Sequence, residues 1–329
     1  MEKESGLTNM LSVCQGAWET KLLSVALELE LFTRISRGAD TVESVSQESG
    51  IDVRLLQMMV NACRAIGLVR GKGGKLRNSP DAELFLVREK SGYIGDFVVM
   101  VGRDYYDIWR SFKEVMVTGK PVRDDQMVRL SNPRYAEAYI KAMDGISREP
   151  ARVLAGELDL SKGKSMLEIG GGMGAYSAEM VKRSSIKATI FDSPFCCEFA
   201  ERGIRSAGIK NVSTQGGDFE KGTIPKGHDI IMLTHVLQSI APQKCEALLR
   251  KVHDSLPSGG VVVVNEFLLE GDGILPVFSS LFTLNAFMLS NGGMLHSRDE
   301  LSEWLTNAGF SEIKPIKTSP IIISLRAVK

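Results

Sequence analysis

The chain has 329 residues, of which 43% are hydrophobic and 24% charged, and its 40 Lys and Arg balance 40 Asp and Glu. This length predicts two domains, or one large domain with additions, and the composition excludes a disordered or fibrous chain. Zero net charge argues against bulk nucleic-acid binding, which needs cations to neutralise phosphates. We therefore expect no nucleic-acid partner.

The cysteines are odd in number and scattered, without CxxC spacing, which favours a reducing, cytoplasmic location. The first residues, MEKESGLTNM, lack the apolar core of a signal peptide. No run of about 18 uncharged apolar residues occurs, so no membrane association is expected.

The first 95 residues have the pattern of a winged-helix domain. Apolar residues recur at spacings of three and four over 10–29, which predicts a helix. A second helix is expected to end at Gly50, and Asp52 is a predicted N-cap for the third. The turn GKGG within 68–77 predicts a hairpin, the wing.

A winged helix suggests DNA binding, but this one carries 12 Lys and Arg against 12 Asp and Glu over residues 1–95. Its predicted recognition helix offers only Arg54 and Arg64 as cations. We therefore expect a structural or dimerising role. The apolar stripe over 10–29 is consistent with a homodimer, although a helix packing within its own chain has the same pattern.

Residues 96–155 are predicted to be helical and are rich in large side chains. They either form a core between domains or contribute side chains to a ligand cleft. Tyr105 and Trp109 are candidates for the cleft.

From Ser165 onward, short apolar runs alternate with helical segments, which predicts a largely parallel sheet buried on both faces. The predicted strands are SMLEI, KATIF, NVSTQ, DIIMLT and VVVVNEF, followed by EIKPIK and PIIISLRAV. A capping box, Ser297 to Glu300, is expected to open the last helix. The expected fold is α/β, with a sheet domain over residues 156–329.

The strongest motif is MLEIGGGMGAYSAEM, residues 166–180. A strand enters a glycine turn and a helix leaves it, so the backbone can approach a ligand closely. Asp192 ends the next strand, where a carboxylate can accept hydrogen bonds from ribose hydroxyls. Folds that bind NAD share these features. The turn glycines are Gly170, Gly171, Gly172 and Gly174.

Three further features favour S-adenosylmethionine over a dinucleotide. Glu168 precedes the glycines and can steady the turn or the ammonium end of the cofactor. Asp218 can accept from an adenine amino group while Phe219 covers the ring. The sheet ends in a helix and two strands, with no second dinucleotide-binding half.

These residues resemble the small-molecule O-methyltransferase family of class I S-adenosylmethionine-dependent methyltransferases, of the plant caffeate and bacterial secondary-metabolism type. The resemblance spans nearly the whole chain through LEIGGGMG, IFDSP, GGDF, LPSGGVVVVNEFLL and FMLSNGGMLHSRDELSEWLTNAGF. It implies a Rossmann-like sheet whose last strand is antiparallel, and an N-terminal winged-helix dimerisation domain. It also implies S-adenosylmethionine as cofactor and S-adenosylhomocysteine as product.

By position, the resemblance assigns the glycine turn and Glu168 to the methionine part of the cofactor, Asp192 to the ribose, and Asp218 with Phe219 to the adenine. Thr234 and Ser147 match positions that contact the cofactor in relatives. The positions that match the substrate pocket are Tyr139, Met143, Phe287, Met288 and Asn291.

The chain departs from the family at its catalytic pair. Where O-methylating members have His-Asp in a pattern like LHDW, this chain has Gln238 and Ser239. The acidic residue that flanks the base in relatives is also absent, with Leu295 or His296 in its place. Since the His-Asp pair that some relatives use as metal ligands is missing too, no metal site is expected.

The remaining catalytic candidates are Gln238, His235 and His296, whereas His228 and His253 are expected at the surface. Without a strong base, the predicted reaction is methyl transfer to nitrogen or carbon of a small aromatic or largely apolar molecule. Two alternatives stay open at this point. The protein can use bound S-adenosylmethionine for non-methylating chemistry, or it can be a winged-helix regulator that responds to a ligand.

Overall fold

The computed structural model describes residues 6–121, 130, 132–160, 163–290 and 292–329. The chain divides into two compact units, Met1–Arg110 and Ser111–Lys329, which are described separately. The division into 1–95, 96–155 and 156–329 and the winged-helix assignment remain predictions.

The first unit is helical apart from one small hairpin. Its elements are α1 (Gly6–Glu28), α2 (Leu31–Ser36), α3 (Val42–Ser49), α4 (Val53–Ala65), β1 (Val69–Arg70), β2 (Arg77–Asn78), α5 (Pro80–Phe85), α6 (Gly95–Met100), a π-helical turn (Val101–Tyr105) and α7 (Tyr106–Trp109). The two strands are antiparallel, and the hairpin follows the three predicted helices. The short helix α2, between the first and second of these, was not predicted.

Local capping explains where the helices of this unit begin and end. Thr41 and Ser44 form a capping box at the start of α3, and Gly50 ends that helix in the left-handed region at φ 73°. The Asp52 side chain accepts from the Leu55 N–H, which confirms Asp52 as the N-cap of α4.

The apolar stripe of α1 is buried over only part of its length. Ala26 is buried in the core of the unit, whereas Met10, Leu11 and Trp18 are 61%, 58% and 75% exposed. The helix is therefore confirmed, but intrachain packing covers only the C-terminal part of its stripe.

The second unit is a sheet with helices on both faces. Its helices are α8 (Phe112–Thr118), α9 (Pro133–Glu157), α10 (Ala175–Arg183), α11 (Pro194–Ser206), α12 (Pro242–Ser255), α13 (Val277–Leu289) and α14 (Arg298–Asn307). Its strands are β3 (Ser165–Ile169), β4 (Lys187–Asp192), β5 (Val212–Gly216), β6 (Ile230–Thr234), β7 (Val261–Phe267), β8 (Ser311–Ser319) and β9 (Ile322–Val328). All seven predicted strands are present, within two residues at each end.

The strand order is β5–β4–β3–β6–β7–β9–β8. Strands β3 to β7 pair in parallel, and β9 runs antiparallel between β7 and β8, which confirms the predicted topology. The order reverses between β3 and β6. In open α/β sheets, ligands bind at the carboxyl ends of the strands at such a reversal.

The sequence predicted a reducing location and no membrane-spanning helix. All five cysteines are free thiols. Among the described helices, none combines the length and apolar character needed to cross a bilayer.

The predicted capping box that opens α14 is confirmed. The Ser297 side chain accepts from the Glu300 N–H, and the Glu300 side chain accepts from the Ser297 N–H.

Candidate functional site

The glycine turn between β3 and α10 requires glycine at specific positions. Gly170, Gly172 and Gly174 have φ of 73°, 53° and 81°, in the left-handed region that disfavours side chains. The Gly170 N–H donates to the carbonyl of Phe191 at 3.0 Å. A Cβ on Gly170 would lie 2.4 Å from Val236 Cγ2, so the backbone there packs too closely for any other residue.

A carboxylate at the end of β4 ties the turn to the neighbouring strand. Asp192 Oδ2 accepts from the Gly172 N–H at 2.9 Å, and Oδ1 accepts from the Ser193 N–H at 2.7 Å. No atom lies within 4 Å of an ideal Cβ on Gly172, whereas one on Gly171 would lie 2.9 Å from Glu168 Cδ. The turn therefore has open space at Gly172, beside the predicted ribose ligand Asp192. At Gly171 the Glu168 side chain fills the space.

Beneath the turn lies Glu168, which is completely buried. One carboxylate oxygen, Oε2, accepts from the N–H and the hydroxyl of Ser177. Burial raises the pKa of Glu168 to about 7, although the Ser177 bonds and the nearby Thr234 hydroxyl offset part of the rise. Glu168 Oε1 and Thr234 Oγ1 are both buried, and apart from the bond between these two side chains neither oxygen has a partner among the described residues.

Two buried oxygens that bond only each other, beside an open glycine turn, fit the methionine end of S-adenosylmethionine. Its ammonium group donates three hydrogen bonds, and buried acceptors are otherwise costly to leave unpaired. The chain therefore has residues that suit this cofactor.

The predicted adenine ligands lie after β5. Asp218 is exposed, and its Oδ1 accepts from the N–H groups of Glu220 and Lys221 at 2.9 and 3.0 Å. Phe219 is half-buried against the core of the sheet. The turn thus places an exposed carboxylate beside a partly exposed ring. These are the two groups predicted to contact the amino group and the ring of adenine.

Helix α9 carries three of the predicted contacts. Ser147 is half-buried, and its hydroxyl donates to the Met143 carbonyl at 2.8 Å. Tyr139 stacks on Tyr135 with ring centroids 6.3 Å apart. The Ser147 hydroxyl can still accept a bond, but its proton is used within the helix.

Gln238 lies on a single 3₁₀ turn, Leu237–Ser239, directly beyond β6. The turn is held from β7 by Glu266, whose Oε1 accepts from the N–H groups of Val236 and Leu237 at 2.9 and 2.8 Å. Burial raises the pKa of Glu266 to about 8, although these hydrogen bonds offset part of the rise. The amide oxygen of Gln238 is buried, and the Gln238 side chain bonds the imidazole of His235.

His296 supports the same turn from the other side. It is 2% exposed, its Nε2 lies 3.9 Å from Cys245 Sγ, and its ring packs edge-on against Trp304. The carbonyl of Leu237 bonds to the imidazole, and Cys245 Sγ lies 3.6 Å from that oxygen. Burial nevertheless lowers the pKa of His296. These contacts indicate a packing role for His296, and Leu295 beside it is buried as well.

His235 follows β6 directly, and its ring lies 4.7 Å from that of Phe267. Phe267 in turn contacts Phe278 and Phe282 of α13 at 5.2 and 4.9 Å. The carboxyl ends of β6 and β7 therefore meet α13 through a set of four rings, which we call the aromatic cluster (His235, Phe267, Phe278 and Phe282).

The other predicted pocket residues are distributed over both units. Phe287 is half-buried and Met288 buried on α13, while Asn291 lies outside the described residues. Tyr105 is buried and Trp109 half-buried in the first unit. Their joint presence in one pocket remains a prediction.

A cavity of about 340 Å³ lies in the first unit, away from every predicted site residue in sequence. Three of its charged side chains are paired: Lys75 donates to both oxygens of Asp40, and Glu83 accepts from the Ser36 hydroxyl. The cavity holds none of the predicted site residues.

Sequence reasoning missed a buried polar network behind the glycine turn. Asn265 donates to the Tyr176 hydroxyl at 3.0 Å and accepts from the Ser324 hydroxyl at 2.7 Å. It missed Glu266 as well. An acid at the carboxyl end of a buried parallel strand, as in VVVVNEF, is the signal that points to such a residue.

Residues 122–311 match the family model described as an O-methyltransferase domain. The chain belongs to this family. A 3-hydroxy-5-methyl-1-naphthoate 3-O-methyltransferase of Streptomyces sahachiroi is 30% identical over 94% of this chain and 91% of its own length. An N,N-dimethyltransferase, OxyT, of Streptomyces rimosus is 27% identical over 92% of this chain and 90% of its own.

Among solved structures, human N-acetylserotonin methyltransferase in complex with SAM has a TM-score of 0.90 at 23% identity, covering 100% of this chain and 99% of that one. This likeness confirms the fold. As a family member, the protein is an S-adenosylmethionine-dependent methyltransferase of small molecules. The relatives named here are methyltransferases and give no support to the non-methylating or regulatory alternatives.

Proposed function

We propose that the enzyme methylates a nitrogen or carbon atom of a small, flat and largely apolar molecule. The observation that carries this proposal is Gln238, which by resemblance occupies the position of the family's proton-accepting His. An amide does not titrate, and a positioned base contributes typically about 10² to 10⁴ in rate. A nitrogen lone pair or an electron-rich ring carbon attacks without losing a proton first and does not need that contribution.

The turn that bears Gln238 is held firmly enough to orient an acceptor. Glu266 bonds two of its N–H groups, and the Ser239 hydroxyl donates to the Val236 carbonyl at 2.7 Å. The Gln238 side chain also bonds the imidazole of His235, which fixes the orientation of its amide. We therefore assign Gln238 to binding and orientation.

The aromatic cluster supports a flat, apolar acceptor. Phe278 is 36% exposed while Phe267 is 6% exposed, so the cluster extends from the core to a partly open ring. Aromatic molecules pack favourably against such rings in offset or edge-on arrangements.

The cofactor supplies a methyl group bonded to a positively charged sulfur. The chain holds the cofactor through the glycine turn and Asp192, with Glu168 and Thr234 available to the ammonium end. The Gln238 turn lies at the end of β6, the strand that carries Thr234, so the two parts of the site share an edge of the sheet. Rate acceleration then comes from proximity and orientation.

Three naphthalene compounds test which atom accepts the methyl group: 1-naphthol, 1-naphthylamine and 1,3-dimethoxynaphthalene. We expect S-adenosylhomocysteine and a methylated product from the amine and from the dimethoxy compound, and no methyl ether above the blank from the naphthol. Mass spectrometry of the products, which distinguishes methylation at oxygen from methylation at carbon or nitrogen, is the measurement. Formation of the naphthol methyl ether, or turnover of none of the three, would contradict the proposal.

We also propose a homodimer formed through the first unit, because its first helix begins with an uncovered apolar surface. Five large side chains there are 58–75% exposed: Leu7, Met10, Leu11, Val13 and Trp18. Patches of this kind on a folded chain mark interaction sites. The expected partner is a second copy of the chain. The balanced charge of the first unit argues against nucleic acid as a partner.

Sedimentation at micromolar concentration tests the dimer. The double variant Leu11→Asp, Trp18→Asp is expected to be monomeric, since each substitution would bury a charge in the interface. Val117→Asp is the matched control, because Val117 is 78% exposed on α8, outside the first unit. A monomeric wild type, or a double variant that remains dimeric, would refute the interface.

A further inference from the structure

Helix α4 has a second apolar stripe on the side that faces solvent. The residues that this helix buries are Leu56, Val60 and Cys63. On the opposite side, Leu55 and Met58 are 56% and 64% exposed, and half-buried Ala62 and exposed Ala65 continue the stripe at spacings of three and four. A stripe with this period, about 15 Å long, has the pattern of a seam that packs against another helix.

The charge around this stripe is positive. Residues 53–77, which hold α4 and the hairpin, contain six cations and no acid: Arg54, Arg64, Arg70, Lys72, Lys75 and Arg77. Lys75 is paired with Asp40 at 2.7 Å. No carboxylate in the described part of the chain forms an ion pair with Arg54, Arg70 or Arg77. The balance of 12 against 12 over residues 1–95 therefore includes a local excess of positive charge on α4 and the hairpin.

The helix and the hairpin lie side by side in the first unit. Arg64, in the last turn of α4, donates to the Gly71 carbonyl at 3.0 Å. Arg70 and Arg77 are directly opposite each other in the two strands of the hairpin, and both are exposed. Like charges in this position repel each other, so an anion between them would be stabilising.

We propose that α4 and the hairpin form a docking face for an acidic amphipathic helix of another protein. The docking face consists of Arg54, Leu55, Met58, Arg70 and Arg77. Leu55 and Met58 pack against the apolar side of the partner helix, in the way that amphipathic helices bind through anchors three and four residues apart. The carboxylates that flank this apolar side lie near the arginines. Opposite charge speeds association and selects the partner, while the apolar contact supplies most of the affinity.

Two other occupants fit the docking face less well. A second copy of the chain would place the same face against itself in a two-fold contact, so that the cations of one copy would meet those of the other. Nucleic acid suits the cations, but a helix that reads base edges does so with polar side chains. Here the most exposed large side chains are Leu55 and Met58, and the polar Gln57 and Asn61 bond each other at 2.9 Å.

Fluorescence anisotropy with the full chain tests the proposal. The probe is a labelled helical peptide of about three turns, with leucine at heptad spacing and glutamate at the flanking positions. We expect a dissociation constant of about 1 to 100 μM at low salt. Two matched peptides, one with lysine in place of glutamate and one with serine in place of leucine, should bind at least about 10-fold more weakly.

The double variant Leu55→Ser, Met58→Ser removes the apolar anchors at exposed positions and should weaken the acidic peptide at least about 10-fold. Met116→Ser, Val117→Ser is the matched control, because these side chains are 63% and 78% exposed on α8, outside the first unit. Its affinity for the peptide should equal that of the wild type. Thermal unfolding of both variants checks that the first unit remains folded.

The double variant Arg70→Gln, Arg77→Gln tests the charge. We expect the peptide to bind about 3- to 10-fold more weakly at low salt, and the weakening of binding by added salt to become smaller. Lys314→Gln, Lys317→Gln makes the same change in net charge at exposed positions of β8 and should leave binding unchanged. Equal affinities in the two double variants would show that net charge alone attracts the peptide and would overturn the proposal.

Three further results would also overturn the proposal. The first is no binding of the acidic peptide at about 0.5 mM. The second is a wild-type dimer that becomes monomeric on sedimentation of Leu55→Ser, Met58→Ser, because the face would then join two copies. The third is a DNA duplex of about 20 base pairs that binds more tightly than the peptide and is lost only in Arg70→Gln, Arg77→Gln. None of these measurements involves turnover, so methyl transfer is tested separately.

Discussion

The two sides of the proposed site lie on one edge of one sheet but are built differently. On the cofactor side, β3, the glycine turn and α10 are consecutive in the chain, and Glu168 bonds Ser177 only nine positions away. On the acceptor side, the Gln238 turn is held by Glu266, 30 positions from Val236, and by His296. The side that follows the family pattern is thus local, and the side that departs from it depends on distant residues.

A large loss of stability is expected on the local side from Gly170→Ala. The left-handed backbone costs about 1 to 2 kcal/mol for a residue with a side chain. The contact with Val236 adds about 1 to 3 kcal/mol. The matched variant Gly172→Ala has the same kind of φ but open space, so only the first cost applies. Urea unfolding measures both, and equal losses would contradict the close-packing argument.

Glu266→Ala is the corresponding test of the distant side. It leaves the buried N–H groups of Val236 and Leu237 without an acceptor, at about 1 to 3 kcal/mol for each. We expect turnover to be lost while the affinity for S-adenosylhomocysteine changes little. Glu168→Ala should weaken that affinity strongly. Calorimetry distinguishes the two, and parallel losses of affinity in both variants would show that the two sides are not separable.

The buried carboxyls also predict a pH dependence of stability. Burial raises the pKa of Glu266 from 4.5 to about 8, so the folded state holds a proton that the unfolded state has released between these values. The free energy of unfolding should therefore fall as pH rises through this window, by at most about 1.4 kcal/mol per pH unit. Glu168 acts in the same direction up to about pH 7.

Glu266→Gln should remove its share of this slope while its amide oxygen still accepts from the turn. Urea unfolding at several pH values measures the change. A slope as steep as that of the wild type would show that Glu266 is ionised in the folded protein near neutral pH.

The smallest expected effect belongs to Gln238→Ala. Loss of one orienting hydrogen bond is worth about 0.5 to 1.5 kcal/mol, which is about 2- to 12-fold in kcat/KM for 1-naphthylamine. Gln243→Ala is the control, because it is the same substitution at an exposed position of α12 outside the Gln238 turn. Steady-state kinetics should separate the two, and equal values would remove Gln238 from acceptor binding.

Much of the fold was readable in the sequence because its signals are local. The strands are continuous apolar runs, and Asp52 and Ser297 cap the helices that they precede. The apolar stripe of α1 predicted a helix correctly, but the pattern does not tell whether residues of the same chain or of another chain pack against it. Only the structure shows that the Trp18 side chain is 75% exposed within its own chain.

The sequence by itself determined the α/β topology and the strand–turn–helix of the glycine motif, and it predicts that Gln238 replaces a titrating residue. Only the tertiary structure decided between the histidines. His296 is bonded within the core, whereas His235 has a positive φ, packs its ring against Phe267 and bonds the Gln238 side chain. The reason is physical: capping and strand patterns are contacts between near neighbours, while burial, strain and pKa depend on which distant strands and helices meet.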